Sequence, residues 1–208
     1  GPDFHAGQRN DSGTCNFCHN PNQNRSAWSG NEKDMVHSIH GAEKRGVRFT
    51  WHEASPTDGY WLTTYPAILN TCSMCHLEGT FDFSSADAQA ALPNMLVSTT
   101  TTGTVPAQPS EFSPYAPAGT YGTAFKFDPL TGTPTPATGD NRVTTPIMAA
   151  CSACHDSVPA IDHMETNGGQ FWVPRSSVPA NTQGEQCLVC HGPNRIAAIA
   201  TVHTIKAP

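Results

Sequence analysis

Eight cysteines fall into four pairs of identical spacing, Cys15/Cys18, Cys72/Cys75, Cys151/Cys154 and Cys187/Cys190. Each pair is followed at once by a histidine, namely His19, His76, His155 and His191. The motifs read CNFCH, CSMCH, CSACH and CLVCH. CxxCH is the attachment signature of c-type haem. Two thiols reach two carbons on one porphyrin edge as thioethers, and the next residue offers an imidazole to the iron from one face. Zinc ribbons place their CxxC units about 15–20 residues apart, whereas these pairs lie much further apart. A redox CxxC is a single site, and a disulfide framework leaves the four following histidines unexplained. The motifs predict four covalently held haems c, with His19, His76, His155 and His191 as proximal iron ligands.

The rest of the composition agrees with a fold that leans on its cofactors. The chain has 208 residues, of which 37% are hydrophobic and 13% charged, with 17 Gly and 18 Pro. Such a chain builds a modest side-chain core, and chains of that kind need staples. The expected fold is mostly irregular with a few short α-helices, a multihaem cytochrome c fold in which the haem stack forms the core. A formal net charge of −6 without a basic run excludes nucleic acid as a partner. No stretch approaches the roughly 20 apolar residues that cross a bilayer. Because haem is attached to CxxCH outside the cytoplasm, a secretory signal is expected to have been removed from a mature chain. Gly1-Pro2 is either a mature start or a cloning scar.

Six histidines remain for the opposite face of the irons: His5, His37, His40, His52, His163 and His203. Two imidazoles per iron give a six-coordinate, low-spin centre suited to electron transfer rather than to substrate binding. The segment 31–46 reads as a helix, with Ser29 and Glu32 as a capping box and Gly46 as its end. His37 and His40 are three residues apart on one face and can serve two closely packed haems. A second helix is expected over 159–166, with Ser157 near its cap, Gly168-Gly169 beyond its end, and His163 as a ligand. A last helix after Asn194 aligns Ile196, Ile199, Ala200 and His203 on one face, with His203 as a ligand. On the residues alone, His5 is balanced between ligand and free surface histidine. His52 reads as a surface or propionate-contacting histidine. Met35, Met74, Met95, Met148 and Met164 compete in principle as ligands but read more simply as packing around porphyrin.

Along the chain, residues 1–83 hold the first two motifs and 147–208 the last two, in a single tetrahaem domain. Residues 84–146 contain neither Cys nor His. A short helix is expected over 86–92, stopped by Pro93. The Thr/Pro/Gly-rich run that follows suits an exposed surface insertion, pinned by Phe112, Tyr115, Tyr121, Phe125 and Phe127. The sharper alternative is a subunit contact or a glycosylated arm. Asn10-Asp11-Ser12 and Asn24-Arg25-Ser26 match the N-glycosylation pattern. Unequal gaps between the motifs exclude a regular repeat array.

Several stretches resemble the OmcA/MtrC family of outer-surface multihaem cytochromes. They are His5-Ala6-Gly7-Gln8-Arg9, then Cys15 to Pro21, then Met35-Val36-His37-Ser38-Ile39-His40, and Tyr65-Pro66 through His76. The second half continues with Cys154 to Ser157, His163-Met164, Gly168-Gly169, Glu185 to Pro193, and Val202-His203. The resemblance implies distal ligation by His37, His40, His163 and His203, and adds His5 to that set. Members of the family are usually decahaem, built from five-haem modules and β-domains. This chain lacks the first CxxCH of such a module, and it carries five family-type distal histidines for four haems. In its four-haem form it is similar to OmcE-type extracellular cytochromes that polymerise into filaments. One histidine is then either idle or bound to iron in a neighbouring subunit, and the terminal position of His5 makes it the candidate for the latter.

The resemblance therefore implies an electron carrier, not an enzyme. It acts outside the cell or at its surface, as a homopolymer with haem-to-haem subunit contacts that serves other redox proteins or extracellular electron acceptors. The alternatives are a monomeric periplasmic electron shuttle and a module of a larger outer-surface metal-reducing cytochrome. A haem reductase requires an open iron position, and the histidine count argues against one.

Overall fold

The computed structural model describes residues 5, 12–103, 109–117, 119–123, 126–178 and 184–203. Gly1-Pro2, the Asn10 glycosylation pattern and Phe125 lie outside the described residues, as do the neighbours of His5. The regular elements are short, and they alternate with 3₁₀ turns and irregular connections. They are β1 (Asn24–Arg25), β2 (Trp28–Ser29), α1 (Glu32–His40), α2 (Ala86–Ala91), β3 (Ser98–Thr101), β4 (Lys126–Phe127) and β5 (Pro134–Thr135). The second half adds β6 (Arg142–Thr144), α3 (Pro146–Ser152), α4 (Val158–Thr166), β7 (Val173–Pro174), α5 (Cys187–His191) and α6 (Ile199–Val202).

Helix α1 is shorter than the expected 31–46. It ends at Gly41, whose N–H closes on the His37 carbonyl, and a 3₁₀ turn over Ala42–Lys44 follows. The capping box does not form either. Asn31 occupies the N-cap, and the Ser29 hydroxyl, on β2, donates to Asp34 at 2.6 Å while accepting the Asn31 N–H. Acidic Glu32 and Asp34 in the first turn follow the helix dipole. Helix α4 matches its expectation, with Ser157 at the N-cap position and Gly168 in the left-handed region beyond its end. Helix α6 is a single turn that begins at Ile199, so Ile196 lies outside it and is 93% exposed.

The largest departure concerns the threonine run. Ser98–Thr101 is not an exposed loop but the buried strand β3, paired antiparallel with β6, which in turn pairs with β7. β-Branched threonines favour extended backbone, and here the hydroxyls of Ser98, Thr99 and Thr100 are paired. Thr100 donates to the Arg142 carbonyl, and the Ser98 hydroxyl accepts from the Asn31 amide. The later threonines behave as expected, in an exposed hairpin β4–β5. The Asn24 side chain is held between Asn22 and Thr102, and Ser26 is buried, so that glycosylation pattern is not an open tripeptide.

The side-chain core is small. Trp28, Phe49 and Trp51 are buried, and Met35, Ile39, Val47 and Tyr115 pack around them. Trp28 meets Phe49 and Tyr115 edge-on, and Tyr115 meets Phe171 in turn. Phe112 packs edge-on to Tyr121, so three of the aromatics in 84–146 do pin that segment, while Phe127 is exposed.

Two buried carboxylates join distant parts of the chain. Asp156 accepts the N–H groups of Gly46 and Val47, both at 2.8 Å, and faces the Arg45 guanidinium at 3.6 Å. Arg45 also donates to the carbonyls of Ala153 and Val47. Glu111 is bound by the Arg25 guanidinium at 2.6 Å and by the His52 N–H at 2.9 Å, and its carbonyl accepts from Trp28 and Thr50. Burial pushes the Glu111 carboxyl up, but Arg25 and the His52 N–H outweigh burial and hold it below the usual carboxylate range.

Asp156→Ala strands a buried guanidinium and two backbone N–H groups, and is expected to destabilise the protein by about 3–5 kcal/mol in denaturant unfolding. Glu111 is depressed in the folded state, so its stabilisation is present above the unfolded carboxyl value of about 4.3 and fades as pH falls through the folded value. Glu111→Gln is therefore expected to flatten the acid limb of the stability–pH curve, read as melting temperature between neutral pH and about pH 3.

Candidate metal centres

Three of the four motifs form a single helical turn outside the regular helices or at the end of one. The histidine N–H bonds back to the carbonyl of the first cysteine, at 2.8 Å for His19, 2.9 Å for His76 and 2.8 Å for His155. The fourth motif is α5 itself. Residues three and four apart on such a turn are neighbours, so each motif presents two thiols and an imidazole to one side. None of the eight cysteines is paired in a disulfide. Burial drives the Cys151 thiol up to about 12 and Cys187 up to about 11. Among the described residues no group of three or more His, Cys, Asp or Glu side chains converges as a direct metal site.

Each motif histidine has one other imidazole opposite it. His19 faces His5 with ring centres 6.3 Å apart, and His76 faces His37 at 5.9 Å. His155 faces His203 at 5.9 Å, and His191 faces His163 at 6.1 Å. Three of these rings are held by a carbonyl: His19 Nδ1 donates to Gly30 at 3.0 Å, His191 Nδ1 to Ala197 at 2.9 Å and His203 Nδ1 to Ile199 at 3.0 Å. A carbonyl only accepts, so Nδ1 carries the proton and the Nε2 lone pair is left for a metal.

The pairs divide unevenly along the chain. The His155 partner lies beyond the fourth motif, and the His191 partner lies before it, so the last two centres interlock. The four centres are also neighbours. The His19 carbonyl accepts the first N–H of α1, and His37 follows on the same helix about 8 Å further along its axis. The Cys154 thiol donates to the His37 carbonyl at 3.8 Å. Asn70, just before the second motif, donates to the His203 carbonyl at 2.8 Å.

His40 is the distal candidate left over: its ring neighbour is Tyr65 at 4.9 Å. His52 is exposed and stands edge-on to Trp51. Met148 and Met164 are buried, whereas Met74 is 61% exposed within its motif. Sequence reasoning passed over three residues of the site. Gly41 is one, because a Cβ there would stand 2.5 Å from Cys154 Sγ and 2.8 Å from the His37 carbonyl. Trp51 is another, edge-on to His19 at 5.7 Å. The third is Asn70. A glycine directly after the His37-x-x-His40 pair was the one legible hint.

The geometry tests whether a haem suits these residues. At the metal–imidazole distance of about 2 Å usual for zinc, an iron stands about 3 Å from each ring centre, so two ligand rings are about 6 Å apart. All four pairs have that spacing. Large apolar side chains stand open at the motifs: Phe17 and Leu77 are 80% exposed and Val189 66%. A flat apolar group covers such surface. The Trp51 indole N–H is buried without a hydrogen-bond partner, a donor suited to a carboxylate at the rim of such a group. The residues fit a haem.

The family model for outer membrane cytochromes of the MtrC/MtrF-like kind, domains II/IV, matches residues 2–204. The chain belongs to that family. Membership makes it an electron carrier of extracellular electron transfer rather than an enzyme, and implies c-type haem and redox partners. An outer-membrane cytochrome family fits a site of action at or beyond the cell surface. Among the described residues no helix is long and apolar enough to cross a membrane. No curated protein matches the chain.

Gly41→Ala drives a methyl group onto the third motif's thiol, whose sulfur cannot swing away once it is a thioether. The variant is expected to lose the third haem from a large fraction of molecules, seen as a lower haem-to-protein mass in the intact chain.

Proposed function

We propose that the chain holds four bis-histidine haems c and passes electrons along them as the subunit of an extracellular conductive filament. The observation that carries this reading is the set of four facing imidazole pairs at 5.9–6.3 Å. Cys15, Cys18, Cys72, Cys75, Cys151, Cys154, Cys187 and Cys190 are the thioether anchors. His19, His76, His155 and His191 are the proximal ligands, opposed by His5, His37, His203 and His163 respectively. When bound, haem supplies a one-electron iron couple. The polypeptide does the rest: it anchors, spaces and closes both faces of each centre, so no position is left for a substrate.

Three features of the chain support conduction through a row of centres. Helix α1 links the first to the second, the Cys154–His37 contact joins the second to the third, and the crossed His155–His203 and His191–His163 pairs join the third to the fourth. Units that meet head to tail without closing a ring extend such a row into a fibre. His5 standing opposite His19 within the same chain supports a ligand role in cis for it, rather than the inter-subunit role suggested by its terminal position. A second reading, a module of a larger outer-surface cytochrome, is favoured by the family match, which describes domains of a multidomain protein.

The test is spectroscopic. The purified protein is expected to carry four porphyrins by mass and to be wholly low-spin. His203→Ala and His163→Ala are each expected to convert one haem in four to high spin, whereas His52→Ala changes none. An unchanged spectrum in both His203→Ala and His163→Ala defeats the pairing. A monomer by native mass and electron microscopy at all concentrations defeats the filament.

A further inference from the structure

A cavity of about 50 Å³ lies between the aromatic core and the third motif. Trp28 and Phe49 form part of its apolar side. The polar side brings together Asp34 and Ser38 of α1, Tyr115, and Ser152 from the middle of CSACH. Two polar atoms of this lining, Asp34 Oδ1 and Tyr115 Oη, are buried without a hydrogen-bond partner among the described residues. Asp34 as a whole is 7% exposed, and its other oxygen already holds the Ser29 hydroxyl at 2.6 Å. A buried carboxylate oxygen and a buried phenol are costly to leave unpaired. Both atoms belong to the wall of one cavity, so one ligand can satisfy both.

The chemistry of the lining selects that ligand. Arg45 also lines the cavity, and its buried guanidinium, 3.6 Å from Asp156, repels a cation. The Asp34 carboxylate repels an anion. An apolar guest leaves both polar atoms unpaired. Burial pushes the Tyr115 hydroxyl up to about 12, so it keeps a proton to donate, whereas a carboxylate oxygen accepts. Water serves both, and about 10–15 Å³ suffices for one molecule. We propose that the cavity is a binding site for a small cluster of structural waters, which accept from Tyr115 Oη, donate to Asp34 Oδ1 and bridge α1 to the Tyr115 segment and the third motif. Asp34 lies about one helical turn before His37, and Ser152 stands between Cys151 and Cys154. The cluster is therefore a hydrated joint between the second and third centres. That placement rests on the proposed haem ligands, whereas the water site itself does not.

The experiment takes the haem-loaded protein to an atomic-resolution structure. In solution, it counts long-lived internal waters by magnetic relaxation dispersion of the water oxygen nucleus, on the fully reduced protein, whose low-spin ferrous irons are diamagnetic. Ordered waters are expected within hydrogen-bond distance of both Asp34 Oδ1 and Tyr115 Oη. Tyr115→Phe keeps the ring and removes the hydroxyl; it is expected to lose at least one long-lived water and to keep all four haems low-spin. A cavity without density, or the two atoms bonded to protein groups instead, overturns the proposal. So does an equal count of long-lived waters in wild type and Tyr115→Phe, or a cation at Asp34 revealed by anomalous scattering after exchange into rubidium. Four low-spin haems beside a dry cavity sink the water site and leave the ligand pairing standing. High-spin iron in wild type sinks the pairing, and the atomic-resolution structure still decides the water site.

Discussion

Two imidazoles facing each other across about 6 Å form a demanding arrangement for a polypeptide. The rings come from distant parts of the chain, and each must offer its Nε2 to the gap. This chain meets the requirement with short elements rather than a large scaffold. One helical turn fixes the proximal ring relative to its two thiols, and a backbone carbonyl at Gly30, Ala197 or Ile199 fixes the tautomer and tilt of three of the rings. The fold between these points serves to bring the second ring of each pair into place. That accounts for the short helices and strands, thirteen among the described residues, joined by turns.

The polypeptide's own cohesion is concentrated accordingly. A cluster of three buried aromatics stands beside the first centre, with Trp51 in contact with both the cluster and His19. Arg45 and Asp156 tie the chain after α1 to the residues around the third motif, so the stretch carrying His37 and the stretch carrying Cys154 cannot drift apart. Glu185 works in the same way at the start of α3, accepting the N–H groups of Ile147 and Met148 and the Thr145 hydroxyl. In each case a buried or half-buried carboxylate collects backbone donors that have no regular partner. This is a polar substitute for the apolar packing that the composition does not supply.

The chemistry was legible in the sequence to a greater degree than the architecture. CxxCH spacing is local and covalent, so the motif residues could be read without any knowledge of the fold. His37 and His163 could be proposed because a helix signal placed them, and His203 from a helix that proves to be a single turn, whereas the rings that stand opposite them depend on long-range packing that one sequence does not encode in any period. That is also why His40, equal to His37 by every local measure, parts from it in space. The helix ends were misread where tertiary bonds compete with local ones. Asp34 takes the Ser29 hydroxyl that a capping box needs, and Gly41 stops α1 because Cys154 packs against it. The threonine run was misread because composition alone cannot distinguish a solvated linker from a buried strand whose hydroxyls find partners in the fold.

The crossed arrangement of the last two pairs bears on how such a chain matures. His163 is available when the fourth motif emerges, but the partner of His155 is not delivered until the chain has passed that motif and reached His203. The third centre is therefore open on one face until the chain has been made as far as His203, while the fourth can close first. A chain cut between the fourth motif and His203 loses its ring at the third position, not the fourth. The pairs thus close out of chain order, and the turn that carries His203 acts as the latch of the third.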